Sequence, residues 1–317
     1  MTIKQAAKWL LSRDNFIILT HMRPDGDTLC SAGALVNGLN KLGKTAYILP
    51  NPEAAEKYTK YISKYYPPEN YKYEHIVSVD TARRSMITKG GEELCDCVEL
   101  AIDHHGSNSM YAENTCINAD AAACGEMIFD LMMEMGVTLD DELAALIYIA
   151  ITTDTGCFAY SNTSTRTFEI ASKLVAAGAP NGKLNKEFFR TKPKGLVMLE
   201  GKIMSQMEFF RDGQIAVATV TKQLLTECGV EENMLEDIAS LPGLIEGVKV
   251  GFVIKELNPN KSKISCRTVD AIDANAICAN FGGGGHKCAA GCVIELGVDE
   301  AKKLIVEAAE KCIMQNA

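Results

Sequence analysis

Residues 16–30 read FIILTHMRPDGDTLC. A short apolar run of strand character passes directly into a polar stretch holding His21, Asp25 and Asp27 within seven residues, and a helical apolar period takes over at about Ser31 and lasts to Leu42. Two readings of the polar stretch compete. Pro-Asp-Gly is strong turn chemistry, so the carboxylates can simply solvate a loop. Equally, one imidazole and two carboxylates crowded together form part of a cation cage.

Working outward, the pattern repeats. TAYIL (45–49), HIVSV (75–79) and CVELAI (97–102) are further apolar runs, and helical periods follow at about 122–135, 139–151 and 164–178. Strands separated by helices predict an α/β fold with a mainly parallel sheet flanked by helices. The stretch NGKLNKEFFRTKPKGLVMLE (181–200) is polar and basic with one proline and two glycines, which predicts a linker at 186–200 between domains at 1–185 and 201–317. In the second part QIAVATV (214–220), VKVGFVIKEL (248–257), KISCRTV (263–269) and AGCVIEL (290–296) read as strands, 273–281 and 299–314 as helices, and GGGGH as a turn. A smaller α/β domain is expected there.

A length of 317 residues favours two domains, and 47% hydrophobic with 23% charged residues is an ordinary globular composition. The longest apolar run, LAALIYIAI (143–151), is short for a membrane span, and Lys4, Lys8, Arg13 and Asp14 interrupt the place of a signal peptide, so a cytoplasmic protein with no membrane partner is expected. The net charge of −9 argues against long duplex nucleic acid, although not against a short phosphorylated substrate. Twelve cysteines show no zinc-knuckle spacing; most are expected to be buried and reduced, the group Cys278, Cys288 and Cys292 included. A homodimer is compatible with everything in the sequence.

In open α/β sheets, ligands sit beyond the carboxyl ends of the strands. His21, Asp25 and Asp27 follow FIILT, Asp80 follows HIVSV, Asp103, His104 and His105 follow CVELAI, and Asp154 in TTDTG closes the helix after 139. Taken singly, Asp80 reads equally as a helix N-cap and Asp154 as a helix-end residue. Together they form a set, and three of the five histidines fall at the same rim. Carboxylates gathered at one rim repel, and two divalent cations balance the charge of four of them. Mixed carboxylate and imidazole donors suit Mn2+, with Mg2+, Co2+, Fe2+ or Zn2+ as alternatives.

HMRPDGD (21–27), VD (79–80), DHH (103–105) and TTDTG (152–156) resemble, in order, the four metal-binding motifs of the DHH phosphoesterase superfamily, and GGGGHKCAAG (282–291) with Arg267 in SCRTV resembles its associated C-terminal domain. The resemblance covers nearly the whole chain. It implies one ion held by His21, Asp25 and Asp80 and a second by Asp27, Asp80, His104 and Asp154, with Asp80 shared. It also implies Asp103 as an orienting group and His105 as a phosphate contact or proton donor, and a bridging hydroxide attacking phosphorus. Substrate would be gripped across an interdomain cleft by Arg267, His286 and the backbone of Gly282, Gly283, Gly284 and Gly285, whose N–H groups form a nest. Length and domain pairing are most similar to the nanoRNase type. Substrates would then be short RNA or DNA oligonucleotides, 3′-phosphoadenosine 5′-phosphate (pAp) or related dinucleotides.

Alternatives from the same superfamily are a phosphodiesterase for cyclic dinucleotides or linear pApA, and an inorganic pyrophosphatase or exopolyphosphatase, against which the GGGGH run speaks. A non-catalytic nucleotide-binding regulator would be expected to have lost ligands. Arg83 and Arg84 read equally as phosphate contacts or as a solvated pair. Cys124 and Cys157 stand beside the motifs as departures from the common pattern, expected to tune substrate fit or to make the enzyme oxidation-sensitive.

Overall fold

FIIL forms strand β1 (Phe16–Leu19) with all four side chains buried, as expected of a strand covered on both faces. Around it, in this computed structural model describing residues 1–235, 238–269 and 271–315, lies a five-stranded sheet. The other strands are β2 (Ala46–Ile48), β3 (His75–Val79), β4 (Leu100–Asp103) and β5 (Asn114–Ile117), in the order β2-β1-β3-β4-β5 and all parallel. The short β5 carries only two buried residues, which is why no apolar run announces it. Order reverses between β1 and β3, so the connections leave the sheet to opposite sides and open a crevice at their carboxyl ends.

Helices cover this sheet. They are α1 (Ile3–Leu11), α2 (Gly26–Lys41), α3 (Glu56–Ile62), α4 (Cys124–Glu134), α5 (Asp141–Asp154), α6 (Thr165–Ala176) and α7 (Asn181–Asn185). The expected start of α2 at Ser31 is five residues late. Asp25 caps the helix by accepting from the Thr28 N–H at 3.1 Å, so DGD belongs to a helix start and not to a free loop. Glycine sets how closely α2 and α5 approach: a Cβ on Gly26 would lie 2.5 Å from Thr153 Cγ2. Residues Leu143 to Thr152 of α5 are all buried, so this helix runs through the interior and delivers Asp154 at its end.

These elements make up the first of two units, Met1–Thr191; the second is Lys192–Ala317. Of the stretch expected as a linker, Lys186–Arg190 continues α7 as a widened i→i+5 turn, and Lys194–Ser205 forms helix α8. Leu199 and Ile203 of α8 are buried in the second unit, and their spacing was hidden by the surrounding lysines and glycines.

The second unit adds β6 (Glu208–Phe210), β7 (Ile215–Val220), α9 (Lys222–Cys228), β8 (Val250–Asn258), β9 (Lys261–Thr268), α10 (Ala274–Ala279), β10 (Gly284–His286), β11 (Ala289–Ile294) and α11 (Val298–Gln315). Its sheet runs β10-β11-β9-β8-β7-β6, with β7 and β8 parallel and the other pairs antiparallel. Alternation along β7 splits the core: Ile215 and Val217 pack in one cluster with α10 and α11, while Ala216, Ala218 and Val220 pack in another with α8 and α9. Among the described residues no helix is long and apolar enough to cross a membrane.

Candidate metal centre

His21 follows β1 and Asp80 follows β3, at the switch point of the sheet. Asn51 holds the His21 backbone, donating to its carbonyl at 2.9 Å and to Thr20 Oγ1 at 3.0 Å. The ring Nδ1 of His21 lies 2.8 Å from the Met22 carbonyl, which can only accept, so Nδ1 carries the proton. Nε2 then faces Asp25 Oδ1 at 3.8 Å and Asp80 Oδ2 at 3.6 Å.

His104 is prepared the same way from the other side. Its Nδ1 donates to the Ala121 carbonyl at 3.1 Å, and Nε2 faces Asp154 Oδ2 at 3.3 Å, Asp80 Oδ1 at 3.4 Å and Asp27 Oδ2 at 3.8 Å. Asp80 is no N-cap. It sits in the left-handed region with φ 50°, and its N–H donates to the Ile102 carbonyl, which aims the carboxylate between the two imidazoles. Two sets of ligand atoms lie within 4.8 Å of one another, His21 with Asp25 and Asp80, and Asp27 with His104 and Asp154; Asp80 also groups with His104 and His105.

Asp27 has a second task that its sequence position conceals. Oδ1 accepts from Ser31 Oγ (2.8 Å) and the Gly125 N–H (3.0 Å), and Oδ2 accepts from the Cys124 N–H (2.6 Å). It thereby caps α4, whose own N-cap, Ala123, has no side chain for the purpose. Three of its four lone pairs are used, and the remaining one is on Oδ2, the oxygen facing His104.

The electrostatics show what is wanting. Burial and the charges of Asp80, Asp154 and Asp25 push the Asp27 carboxyl well above its usual range. Burial likewise raises Asp154, to about 6, and Asp80, where the His21 hydrogen bond works against it. Burial alone would lower His21, yet the carboxylates of Asp25 and Asp80 facing its Nε2 push it up to about 10. Asp80 Oδ1 is buried without a hydrogen-bond partner. An orphaned buried oxygen, crowded carboxylates and two imidazole Nε2 atoms aimed at them, free to ligate once a cation displaces their protons, are a donor set that fits divalent cations.

Beside this set, His105 Nδ1 lies 2.7 Å from Asp103 Oδ1, and Asp103 Oδ2 accepts from Asn108 Nδ2 at 2.6 Å. The Asp103 bond raises the half-exposed His105 to about 9. Asn108 is a partner that sequence reasoning missed, as are Ser31, Asn51 and Asn162. Asn162 donates to the carbonyls of Ala122 (3.0 Å) and Asp154 (3.1 Å), tying the loop that orients His104 to the end of α5. Only the i+4 spacing of Ser31 from Asp27 was a readable signal; the asparagines act on chain segments remote in sequence.

Cys124 is fully buried, and burial pushes its thiol far up, as it raises that of the partly buried Cys157. In the second unit Cys266 joins Cys278 and Cys292 in thiol contact.

Arg267, Ala289 and His286 lie opposite one another on three adjacent strands and so share one face of the second sheet. The glycine run is a strand start, not a free turn, and its amides are largely occupied. The N–H groups of Gly282, Gly283 and Gly285 donate to Ala279 O, Cys278 O and Asn275 Oδ1. A Cβ on Gly283 would lie 2.3 Å from Gly291 O and one on Gly285 2.4 Å from Ala289 O, so the glycines admit strand β11. The N–H groups expected to form a nest are therefore mostly committed to α10.

The profile of the DHH family, N-terminal domain, matches residues 15–151, and that of the DHHA1 domain matches residues 212–315. The bifunctional oligoribonuclease and PAP phosphatase NrnA of Thermus thermophilus is 29% identical over 299 residues, covering 92% of this chain and 88% of that protein. The protein of the same name from Bacillus subtilis is 26% identical, covering 94% and 95%. The crystal structure of an exopolyphosphatase-related protein from Bacteroides fragilis matches with a TM-score of 0.86 at 25% identity, over 98% of this chain and 95% of that one.

Proposed function

Because the chain belongs to the DHH family and carries a DHHA1 domain, we propose that it is a metal-dependent phosphoesterase that hydrolyses short oligonucleotides to mononucleotides and removes a phosphate from pAp. The names of the Thermus and Bacillus relatives state both activities for those proteins. The observation that carries the reading is the pair of three-residue ligand sets, His21 with Asp25 and Asp80 and Asp27 with His104 and Asp154, joined where Asp80 Oδ1, buried without a hydrogen bond, lies 3.4 Å from His104 Nε2.

His21, Asp25 and Asp80 would hold one divalent ion and Asp27, Asp80, His104 and Asp154 the other, with Mn2+ the best match to mixed imidazole and carboxylate donors. Such a pair, when bound, neutralises phosphate charge and acidifies water for in-line displacement at phosphorus. The chain supplies the rest. Met22 O and Ala121 O fix the two ligating rings. Asp103 and Asn108 orient His105, which meets the phosphate or protonates the departing oxygen. Arg267 and His286 offer a guanidinium and an imidazole on one sheet face for the rest of the nucleotide, and Gly282, Gly283, Gly284 and Gly285 shape that hairpin. We take 1–185 as the catalytic domain and 201–317 as the substrate-binding one, working in the cytoplasm, where twelve free thiols stay reduced.

The test is a substrate panel with Mn2+: pAp, RNAs from the dinucleotide upward, cyclic di-AMP, pyrophosphate and polyphosphate. The expected order puts the short RNAs and pAp first. Preferential turnover of pyrophosphate or polyphosphate would refute the assignment.

A further inference from the structure

Beside the metal centre, still within the first unit, lies a cavity of about 540 Å³ that the proposed chemistry does not use. Backbone contacts tie its lining to the centre. His21 bridges to Ile87, the Met22 N–H donates to the Met86 carbonyl at 2.6 Å, and the Ser109 N–H donates to the Ala82 carbonyl at 2.9 Å. Met22 directly follows a candidate ligand, and Arg83, three residues beyond Asp80, has its Cα within about 11 Å of it by chain length alone.

The cavity wall has two characters. Met22, Ile87 and Cys95 form an apolar side, with a thioether that adapts to flat partners. The cations differ sharply in availability. Arg84 is paired with Asp96 and donates to the Tyr111 carbonyl at 3.3 Å, and Lys89 is paired with Glu53 at 3.1 Å. Arg83 is exposed, and among the described residues its guanidinium has neither an ion pair nor a hydrogen bond. The volume falls in the ordinary range of small-molecule pockets, about 300–1,000 Å³.

Glu92, the one acid of the lining, accepts from the Gly90 N–H at 2.6 Å. A guanidinium without an ion pair, sharing a cavity with an apolar wall next to a phosphate-cleaving centre, calls for a ligand that is anionic at one end and flat and apolar at the other. We propose that this cavity is a subsite for the nucleotide unit adjoining the scissile phosphate, with Arg83 holding its phosphate and the Met22, Ile87 and Cys95 wall receiving its base. The assignment rests on the phosphoesterase reading. It deepens that reading by giving substrates with two nucleosides a hold that pAp, with one, lacks. A polyphosphate chain would use the charge and leave the apolar wall unfilled.

The experiment compares kcat/KM for an RNA dinucleotide with that for pAp, in the wild type, Arg83→Gln and Ser85→Glu. Ser85 is an exposed residue of the same wall, and a carboxylate there opposes a bound phosphate without disturbing the core. Both substitutions are expected to lower the dinucleotide-to-pAp ratio about tenfold, and a ratio within about threefold of wild type in both would overturn the subsite. Equilibrium binding of a methylenephosphonate dinucleotide, in which an unhydrolysable P–C bond replaces the scissile P–O bond, separates this proposal from the functional reading. Should the wild type hydrolyse neither substrate, the functional reading fails, while weaker binding by Arg83→Gln would still support the subsite and equal binding would overturn it.

Discussion

Asp80→Asn isolates the carboxylate proposed to be shared by both ions. The substitution keeps shape and tolerates the left-handed backbone at φ 50°, whereas Asp80→Ala would add about 1–2 kcal/mol of backbone cost. In the metal-free protein the gains and losses nearly cancel. At an effective dielectric near 20, the attraction to a protonated His21 Nε2 at 3.6 Å is worth about 4–5 kcal/mol. Against it stands repulsion from Asp25, within 4.8 Å but half exposed, so that screening leaves about 1–2 kcal/mol. The orphaned Oδ1 costs about 1–3 kcal/mol more. The metal-free melting temperature should thus move by only a few degrees. The metal-linked part should vanish: at a Mn2+ concentration of about 100 Kd, binding stabilises the wild type by about 2.7 kcal/mol, or roughly 5–11 °C for a unit of this size. Thermal scans with EDTA and with Mn2+ read both terms, and phosphodiester turnover should fall by about 10²–10³ or more. An Asp80→Asn protein that keeps the full Mn2+-induced rise would refute the shared-ligand role.

Asp27→Asn should behave differently. Besides losing metal-induced stabilisation, it weakens the cap on α4, and the metal-free protein should lose about 1–2 kcal/mol in urea unfolding. Gly26→Ala, which places a Cβ 2.5 Å from Thr153, should cost about 1–3 kcal/mol and weaken Mn2+ binding measured by calorimetry, because α2 and α5 carry Asp27 and Asp154. Stability in EDTA should decline as pH rises. His21 and His105 have folded pKa values raised to about 10 and about 9, so their contribution is complete below pH 6.5 and is lost between there and pH 10. Asp103, held low by His105 and Asn108 against its burial, acts only under acid conditions. A melting temperature that climbs from pH 6.5 to 9.5 without metal would contradict this arrangement. Asn108→Ala frees one oxygen of Asp103 and should reduce kcat about tenfold or more with little change in metal affinity, a split that steady-state kinetics and calorimetry together would resolve.

By itself the sequence determined the α/β alternation and the identities of the groups at the strand ends, because period and composition are local properties that survive without coordinates. HIVSV is the same five residues in both readings, and His21, Asp80, His104 and Asp154 stand where apolar runs stop. It was silent where an element's reason lies elsewhere in the chain. β5 is held by its neighbour β4, the lysine-rich α8 by a core it joins through two residues, and the start of α2 by an aspartate that reads as a turn former. Only the tertiary structure could decide that Asp27 both caps α4 and reserves one lone pair for the centre, that the glycine run admits a strand, and that Arg84 is engaged while Arg83 is not. Each of these depends on which distant atom comes within about 3 Å of a polar group, and hydrogen bonds and ion pairs are that short-ranged, so no property of neighbouring residues along the chain predicts them.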